Sequence, residues 1–269
     1  MESPLAHTGL ASGRHRRFPL RCGAVGPFRP GVGCNQSRQG MLRSVLAPVH
    51  PDGWPFIAAA LFLAFILFLV GWSPLGWLAL VLALWIAYFF RDPWRVTPSR
   101  PGLVVSPADG IVVATDRAPP PKELQMGETP MTRIGIFLNV FDVHMNRIPL
   151  AGRVSKLAYS KGRFLNASLD KASEENERMA IRIASIEGPQ VAVVQIAGLI
   201  ARRIVCTLGE GQEVATGERF GLIRFGSRTD VYLPPEWAPL VIEGQRVVGG
   251  ETVIADAVAR EAPRQGRAH

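Results

Sequence analysis

The chain has 269 residues, of which 48% are hydrophobic, and that apolar fraction excludes a disordered protein. Its net charge of +8 is unevenly placed: residues 1–40 hold six Arg against Glu2, residues 41–90 hold only Arg43 and Asp52, and residues 91–269 hold 23 basic against 20 acidic side chains. The folded part therefore carries the mild charge of an ordinary soluble domain, which argues against a nucleic-acid partner.

The first forty residues are rich in Gly, Pro and Arg and contain no apolar run long enough for a secretory signal, so they read as a disordered basic tail. Met41 opens MLRSVLAPVHPDGWPF and would serve as a natural start, making the tail an upstream extension of the reading frame. Its Arg-rich, acid-poor composition also fits a transit presequence. From Gly53 to Phe90 no charged residue occurs, the mark of a membrane-associated segment. Gly71, Ser73, Pro74 and Gly76 interrupt it and leave about 16 apolar residues on each side, somewhat short of the ~20 of a perpendicular span. Residues 41–90 are thus expected to form a helical hairpin that either spans or re-enters the bilayer. Arg43 before it, with Arg91 and Arg95 after it, places both flanks at the cytoplasmic face, and Trp54, Trp72, Trp77, Trp85 and Trp94 supply interfacial anchors.

Residues 91–269 form one domain by length. Short apolar runs such as Ile111-Val112-Val113, Ile134-Gly135-Ile136-Phe137-Leu138 and Val191-Ala192-Val193-Val194, punctuated by Gly and Pro, are spaced as β-strands. The polar stretch over residues 167–179 reads as a surface loop or short helix. EGQEVATGE at 210–218 recurs as EGQRVVGGE at 243–251, and each copy fits a strand-turn-strand unit with glycines in the turn. The expected fold is mainly β, a sandwich or lipoyl-like barrel behind an apolar helical hairpin. A carrier function is excluded, since neither turn presents a lysine for a swinging cofactor.

Few residues in this domain can carry chemistry. The three cysteines, of which only Cys206 lies in the domain, build neither a disulfide framework nor a four-thiolate metal site, and a reducing compartment follows. The domain's only histidines are His144 and the terminal His269, too few for a zinc site, and no phosphate-binding glycine loop is present. What remains is the Gly226-Ser227 pair between two strand-like runs, which on spacing alone is a turn serine. By the same local reading Asp109 is a turn residue and His144 a core histidine.

Six segments in order change that reading: FFRDP, SPADG, FDVHMNRIP, KGRFLNASLDKASEENER, QIAGLIARRIV and FGSRTDVYLP. Together, over residues 41–257, they resemble the phosphatidylserine decarboxylase proenzymes, specifically their shorter bacterial branch. The resemblance implies that the chain cuts itself between Gly226 and Ser227, giving a β chain of 1–226 and an α chain of 227–269. Ser227 then becomes a covalent pyruvoyl group, the family's form of bound pyruvate. It also implies that Asp109, His144 and Ser227 act together, with His144 as base and Asp109 fixing its tautomer. Longer members carry a second histidine where this chain has Arg147, so His144 would serve both self-cleavage and decarboxylation. The implied reaction converts phosphatidylserine to phosphatidylethanolamine through a Schiff base to the pyruvoyl carbonyl. Arg147, Arg178, Arg202 and Arg203 are candidates for the lipid phosphodiester. The implied partners are phosphatidylserine and membrane lipid, with the two chains staying together and a homo-oligomer compatible with the fold. The competing readings are a non-enzymatic membrane-anchored β-domain and a pyruvoyl decarboxylase of another serine lipid.

Overall fold

The structure is a computed structural model that describes residues 47–162, 175–186, 188–198, 203–224, 226–258, 262, 264 and 266. The basic tail, most of the polar stretch at 167–179 and Arg202 lie outside the described residues.

Two helices come first. A 3-10 turn at Pro51–Gly53 runs into α1 (Trp54–Leu69), and Gly71, at φ +84°, reverses the chain into α2 (Ser73–Phe89). The positive φ is why a glycine stands at the apex. Small side chains make the seam between the helices: Ala60 and Ala64 on one, Gly76, Ala79 and Ala83 on the other, all buried. A Cβ on Gly76 would sit 2.8 Å from the ring of Phe68, so only glycine allows this approach. The large apolar side chains point the other way, with Phe62, Leu69, Trp77 and Leu84 exposed. The apolar helical hairpin expected from the sequence is present, with its small residues buried and its large ones exposed. Pro51–Leu69, at 19 residues, is long and apolar enough to cross a membrane, and the 17 residues of α2 form a shorter apolar helix. At ~1.5 Å per residue they reach about 28 and 25 Å, close to a hydrocarbon core of ~30 Å.

The remaining chain is β-structure. An eight-stranded antiparallel sheet carries β2 (Gly110–Ala118), β3 (Met131–Leu138), β5 (Gly152–Ser160), β6 (Arg178–Ser185), β7 (Gln190–Ala197), β9 (Glu213–Val214), β11 (Ser227–Leu233) and β12 (Arg246–Val247), in the order β12-β2-β3-β11-β7-β6-β5-β9. A three-stranded sheet has β10 (Arg219–Ile223) between β4 (Met145–Arg147) and β8 (Ile204–Cys206), and β1 (Leu103–Val105) pairs with β13 (Val253–Asp256). One core joins the three sheets. Ile134 and Ile136 of β3, Val231 and Leu233 of β11, Ile181 and Ile183 of β6, Phe220 of β10, Val104 of β1 and Ile254 of β13 all lie in it. The sandwich expected from the sequence is therefore present.

The internal repeat explains the layout. Its first copy provides β9 and leads into β10, and its second provides β12 and leads toward β13. In both, the repeated Gln closes its own turn: Gln212 accepts the amide of Gly209 (3.0 Å) and Gln245 that of Ile242 (3.2 Å). Gly211, Gly217, Gly244 and Gly250 share φ values of 79–83°. The two copies thus cap opposite edges of the large sheet, and each sends its next strand to a small sheet.

The packing between β10 and β8 is tight. A Cβ on Gly221 would lie 2.0 Å from the backbone oxygen of Val205, and backbone cannot rotate away. Gly221→Ala is expected to destabilise the fold by about 1–3 kcal/mol, read as a lower denaturation midpoint in detergent, because β10 must separate from its neighbour.

Candidate active site

β11 is the central strand from which the site is built. It pairs with β3 over all seven residues, from Ser227 opposite Leu138 to Leu233 opposite Thr132, and with β7 from Ser227 opposite Ala197 to Tyr232 opposite Ala192. Every residue of β11 is buried. Alternation then sends Ser227, Thr229 and Val231 to one face and Arg228, Asp230 and Tyr232 to the other. On that second face Arg228 Nε donates to Asp230 (2.5 Å), both side chains fully buried, and Gly135 of β3 leaves the space for the guanidinium, since a Cβ there would come within 2.6 Å of it.

The residue before β11 is Gly226, at φ +64°, in the left-handed region where a side chain is strained. Its amide donates to His144 Nε2 at 3.4 Å. His144 Nδ1 lies 3.0 Å from the carbonyl oxygen of Asp142, and since a carbonyl only accepts, Nδ1 carries the proton. The imidazole is therefore neutral, with its Nε2 lone pair directed at the Gly226-Ser227 segment. Ser227 is fully buried and its Oγ has no hydrogen-bond partner. A buried hydroxyl left without a partner costs about 1–3 kcal/mol, which marks it as a group kept for something other than stability.

Helix α2 ends on this histidine. The Phe89 ring lies 4.3 Å from the imidazole, centroid to centroid, and both are buried with Phe90, Val143, Met145 and Leu222 around them. The chain segments leading into and out of the hairpin are tied together beside them: His50 donates to the Phe90 carbonyl (2.8 Å) and Asp92 to that of Pro48 (2.7 Å). Burial holds the His144 pKa at about 4, against an ordinary 6.5; the Asp142 carbonyl and carboxylate oppose the shift and the Arg91 cation adds to it.

Asp109 stands elsewhere in this arrangement. Its carboxylate accepts from Arg95 at 2.6 Å and from the Gly249 amide at 2.8 Å, and among the described residues it makes no hydrogen bond to the imidazole. Burial raises its pKa, with Arg95 the main opposing influence. The contact that orients His144 comes instead from Asp142, whose own carboxylate accepts the Asn139 amide (2.9 Å) and Arg246. Sequence reasoning passed over Asp142, although its place two residues before the histidine was the available signal. Phe89 was missed because an aromatic at the end of an apolar run has no local mark of a site.

Of the four candidate arginines, three are described. Arg147 is buried and taken up by the carbonyls of Gly217 and Pro93 and by Asp92. Arg178 pairs with Glu123 and lines an open cavity with Pro119–Pro121, Arg133 and Tyr232, on the face opposite Ser227. Arg203 is exposed, and its carbonyl accepts from the amide of Arg224, two residues before Gly226, so its backbone lies beside the strand that leads into the site.

A family model described as phosphatidylserine decarboxylase matches residues 82–255. The phosphatidylserine decarboxylase proenzyme of Cereibacter sphaeroides is 55% identical over 228 residues, which cover 85% of this chain and 98% of the relative. The proenzyme of the same name from Paramagnetospirillum magneticum is 54% identical over 81% of this chain and 91% of its own. That from Ruegeria pomeroyi is 55% identical over 80% and 98%.

The buried ring contact has a measurable consequence. Burial lowers the His144 pKa by disfavouring the imidazolium, so Phe89→Ala, which opens the ring to water, is expected to move it from about 4 toward 6.5. An imidazole resonance followed by NMR across pH 3–8 (about the range the two values require) checks this, and an unmoved midpoint would refute it. The sign for stability follows. The unfolded chain takes up the proton first as pH falls through 6.5, so the folded state loses stability between 6.5 and about 4, and the variant should lose less.

Proposed function

The chain belongs to the phosphatidylserine decarboxylase family and is an enzyme that decarboxylates phosphatidylserine to phosphatidylethanolamine; we propose that it does so with a pyruvoyl group made from its own Ser227, after cutting itself between Gly226 and Ser227. The observation that carries this is the junction itself: an orphaned, fully buried Ser227 Oγ, preceded by a left-handed glycine whose amide touches a neutral histidine.

The arrangement suits the first step. Ser227 Oγ attacks the Gly226 carbonyl carbon and its proton passes to His144 Nε2, whose lone pair faces this segment. Glycine is required here by the backbone and not by crowding: its φ of +64° strains any other residue, whereas an added Cβ would meet nothing closer than Val140 at 3.9 Å. The Asp142 carbonyl accepts from Nδ1 throughout, so the ring keeps its orientation in both charge states. Because burial makes the imidazolium a strong acid, it readily returns its proton to the departing amide nitrogen. The amide bond has then been exchanged for an ester. Asp109, held by Arg95, is proposed to set the charge near the junction rather than to touch the ring.

The residues fit the group that must be held. Residue 227 is clamped on both sides by β3 and β7 at the head of a buried strand, so a carbonyl formed there has a fixed direction. In that place the pyruvoyl carbonyl supplies the electron sink for the pair released with CO₂. His144, again the nearest base, is proposed to hold the proton delivered to the product carbon. The exposed Arg203 is proposed to meet the lipid phosphodiester.

The two chains remain one body after the cut. The α chain, residues 227–269, contributes β11 to the centre of the large sheet between β3 and β7, β12 to its edge on β2 and β13 to β1, so separation would require four pairings to open. The hairpin supports a place at the cell membrane, on its cytoplasmic face, with the helix ends beside His144 bringing the site to the level of the headgroups.

Wild-type protein purified from an expressing cell should show two chains split at 226/227 by intact mass, with a blocked α chain and release of CO₂ from phosphatidylserine vesicles. Ser227→Ala should give a single chain with no detectable turnover. One uncut wild-type chain with a free serine at 227 would overturn the proposal.

A further inference from the structure

Below the Gly226-Ser227 junction a file of polar side chains runs into an otherwise apolar core. Thr229 follows Ser227 on the same face of β11, and Gln195 of β7 is directly opposite Thr229 in the register. Asn146 of β4 reaches in from the three-stranded sheet, two residues after His144. Ser227, Thr229, Gln195 and Asn146 are all completely inaccessible to solvent.

Their hydrogen bonds run in one direction. Gln195 Nε2 donates to Asn146 Oδ1 at 2.8 Å, and Asn146 Nδ2 donates to Thr229 Oγ1 at 3.4 Å. Each bond fixes the orientation of the next group, so both amides are locked and the Thr229 oxygen is used as an acceptor, leaving its proton to be donated onward. Two atoms of the file have no partner: Gln195 Oε1 and Ser227 Oγ. One is an acceptor only and the other can donate, yet they do not meet. Gln195 and Ser227 are diagonal neighbours across β7 and β11, a relation that puts Cβ atoms about 7 Å apart, beyond a direct bond but within the span of one bridging molecule.

We propose that Ser227 Oγ, Thr229 Oγ1 and Gln195 Oε1 form a site for a single water molecule, and that this water is the one consumed when residue 227 is converted to its carbonyl form. The inference rests on the self-cleavage set out above. Three partners, two hydroxyls and an amide oxygen, match what a buried water requires. None of the four side chains is ionised, and His144 is neutral, so an ion would meet no countercharge there.

The chemistry needs a water at this place. Once the ester has formed, the Cα proton of residue 227 passes to His144 Nε2, the Cβ–Oγ bond breaks, Gly226 leaves as a carboxylate, and a dehydroalanine with a free amino group remains. That enamine shifts a proton to its methylene carbon and becomes an imine with a methyl group. One water adds to the C=N carbon, ammonia departs, and the carbonyl remains; nothing is oxidised or reduced. With no surface of residue 227 open to solvent, water must already be in the site. Gln195 and Thr229 are therefore positioning residues that act on the water and not on the bond being cut.

The test separates the two events in time. Self-processing of wild type, Gln195→Leu and Thr229→Val is followed by denaturing electrophoresis for the split, and by hydrazide labelling with intact mass of the α chain for the carbonyl. The split is expected to keep its wild-type rate in both variants, while carbonyl formation slows about tenfold or more. An α chain that still carries the nitrogen of residue 227 should accumulate. Thr229→Ser, which keeps the hydroxyl, should restore the timing. Split and carbonyl appearing together at wild-type rates in both variants would overturn the proposal. So would a variant with the wild-type melting point that does not split, because the file would then serve the attack of Ser227. If the wild-type chain never splits, the self-cleavage reading falls, and electron density decides the water: a peak bonded to the three oxygens upholds it, and direct contact between Ser227 and Gln195 overturns it.

Discussion

The arrangement depends on one strand being held from both sides. β11 is hydrogen-bonded to β3 and β7 from its first residue, so Ser227 cannot turn, withdraw or reach solvent. A chain end or loop serine would relieve its missing hydrogen bond by moving. Here the register over-determines the position, and the bordering glycine takes up the change of direction at φ +64°. A large core holds this position, with β3, β6, β7 and β11 all contributing to it. The same pairing that fixes the serine before a cut would retain the new chain end after it, with the buried Arg228–Asp230 pair behind it on the opposite face.

The apolar hairpin and the candidate site meet at Phe89. The last residue of α2 is also the ring packed on His144, and Phe90 closes the space against Gly53, where a Cβ would come within 2.7 Å of it. Arg224 joins this contact from the β-domain, pairing with Asp52 at 3.1 Å and lying 5.3 Å above the Phe56 ring. The helices are therefore more than a tether. Their root forms one wall around the base, and the exclusion of water there is what keeps the imidazole neutral.

Much of this was legible in the sequence, for reasons that differ by element. The hairpin could be read because a stretch without charge has few alternative meanings, and the EGQ repeat because two turns with the same glycine requirement leave the same residues behind. Ser227, Gly226 and His144 emerged from six ordered segments, and the described structure brings those three together. Asp109 could be picked out from the SPADG segment but not as Arg95's partner, since that pairing spans 14 residues and depends on how the segment after the hairpin lies. Asp142 was obscured because its backbone oxygen makes the contact, and any residue type has one. The Thr229, Gln195 and Asn146 file was beyond reach for a further reason: it joins β11 and β7, neighbours in the large sheet, to β4 of the three-stranded sheet, which only the packing of the two sheets brings together.

A histidine with a pKa near 4 is a weak base at equilibrium, and this bears on how one residue could serve two reactions. For the proposed self-cleavage, a proton need reside on the ring only while Oγ attacks and the amide nitrogen departs, and a strongly acidic imidazolium shortens that stay. A more basic, solvated histidine would be protonated near neutral pH for part of the time and would then present no lone pair to the serine. In decarboxylation the demand is reversed, for a proton must be delivered to carbon after CO₂ has left. A ring that sheds its proton readily suits that step as well, provided the developing charge on the substrate draws the proton in as it forms. Burial has the largest influence on the ring's proton affinity, with Asp142 opposing it and Arg91 adding to it. The histidine of the β-domain suits both proposed roles because its surroundings are apolar, and those surroundings come from Phe89 and Phe90 at the end of α2 together with Val143, Met145 and Leu222.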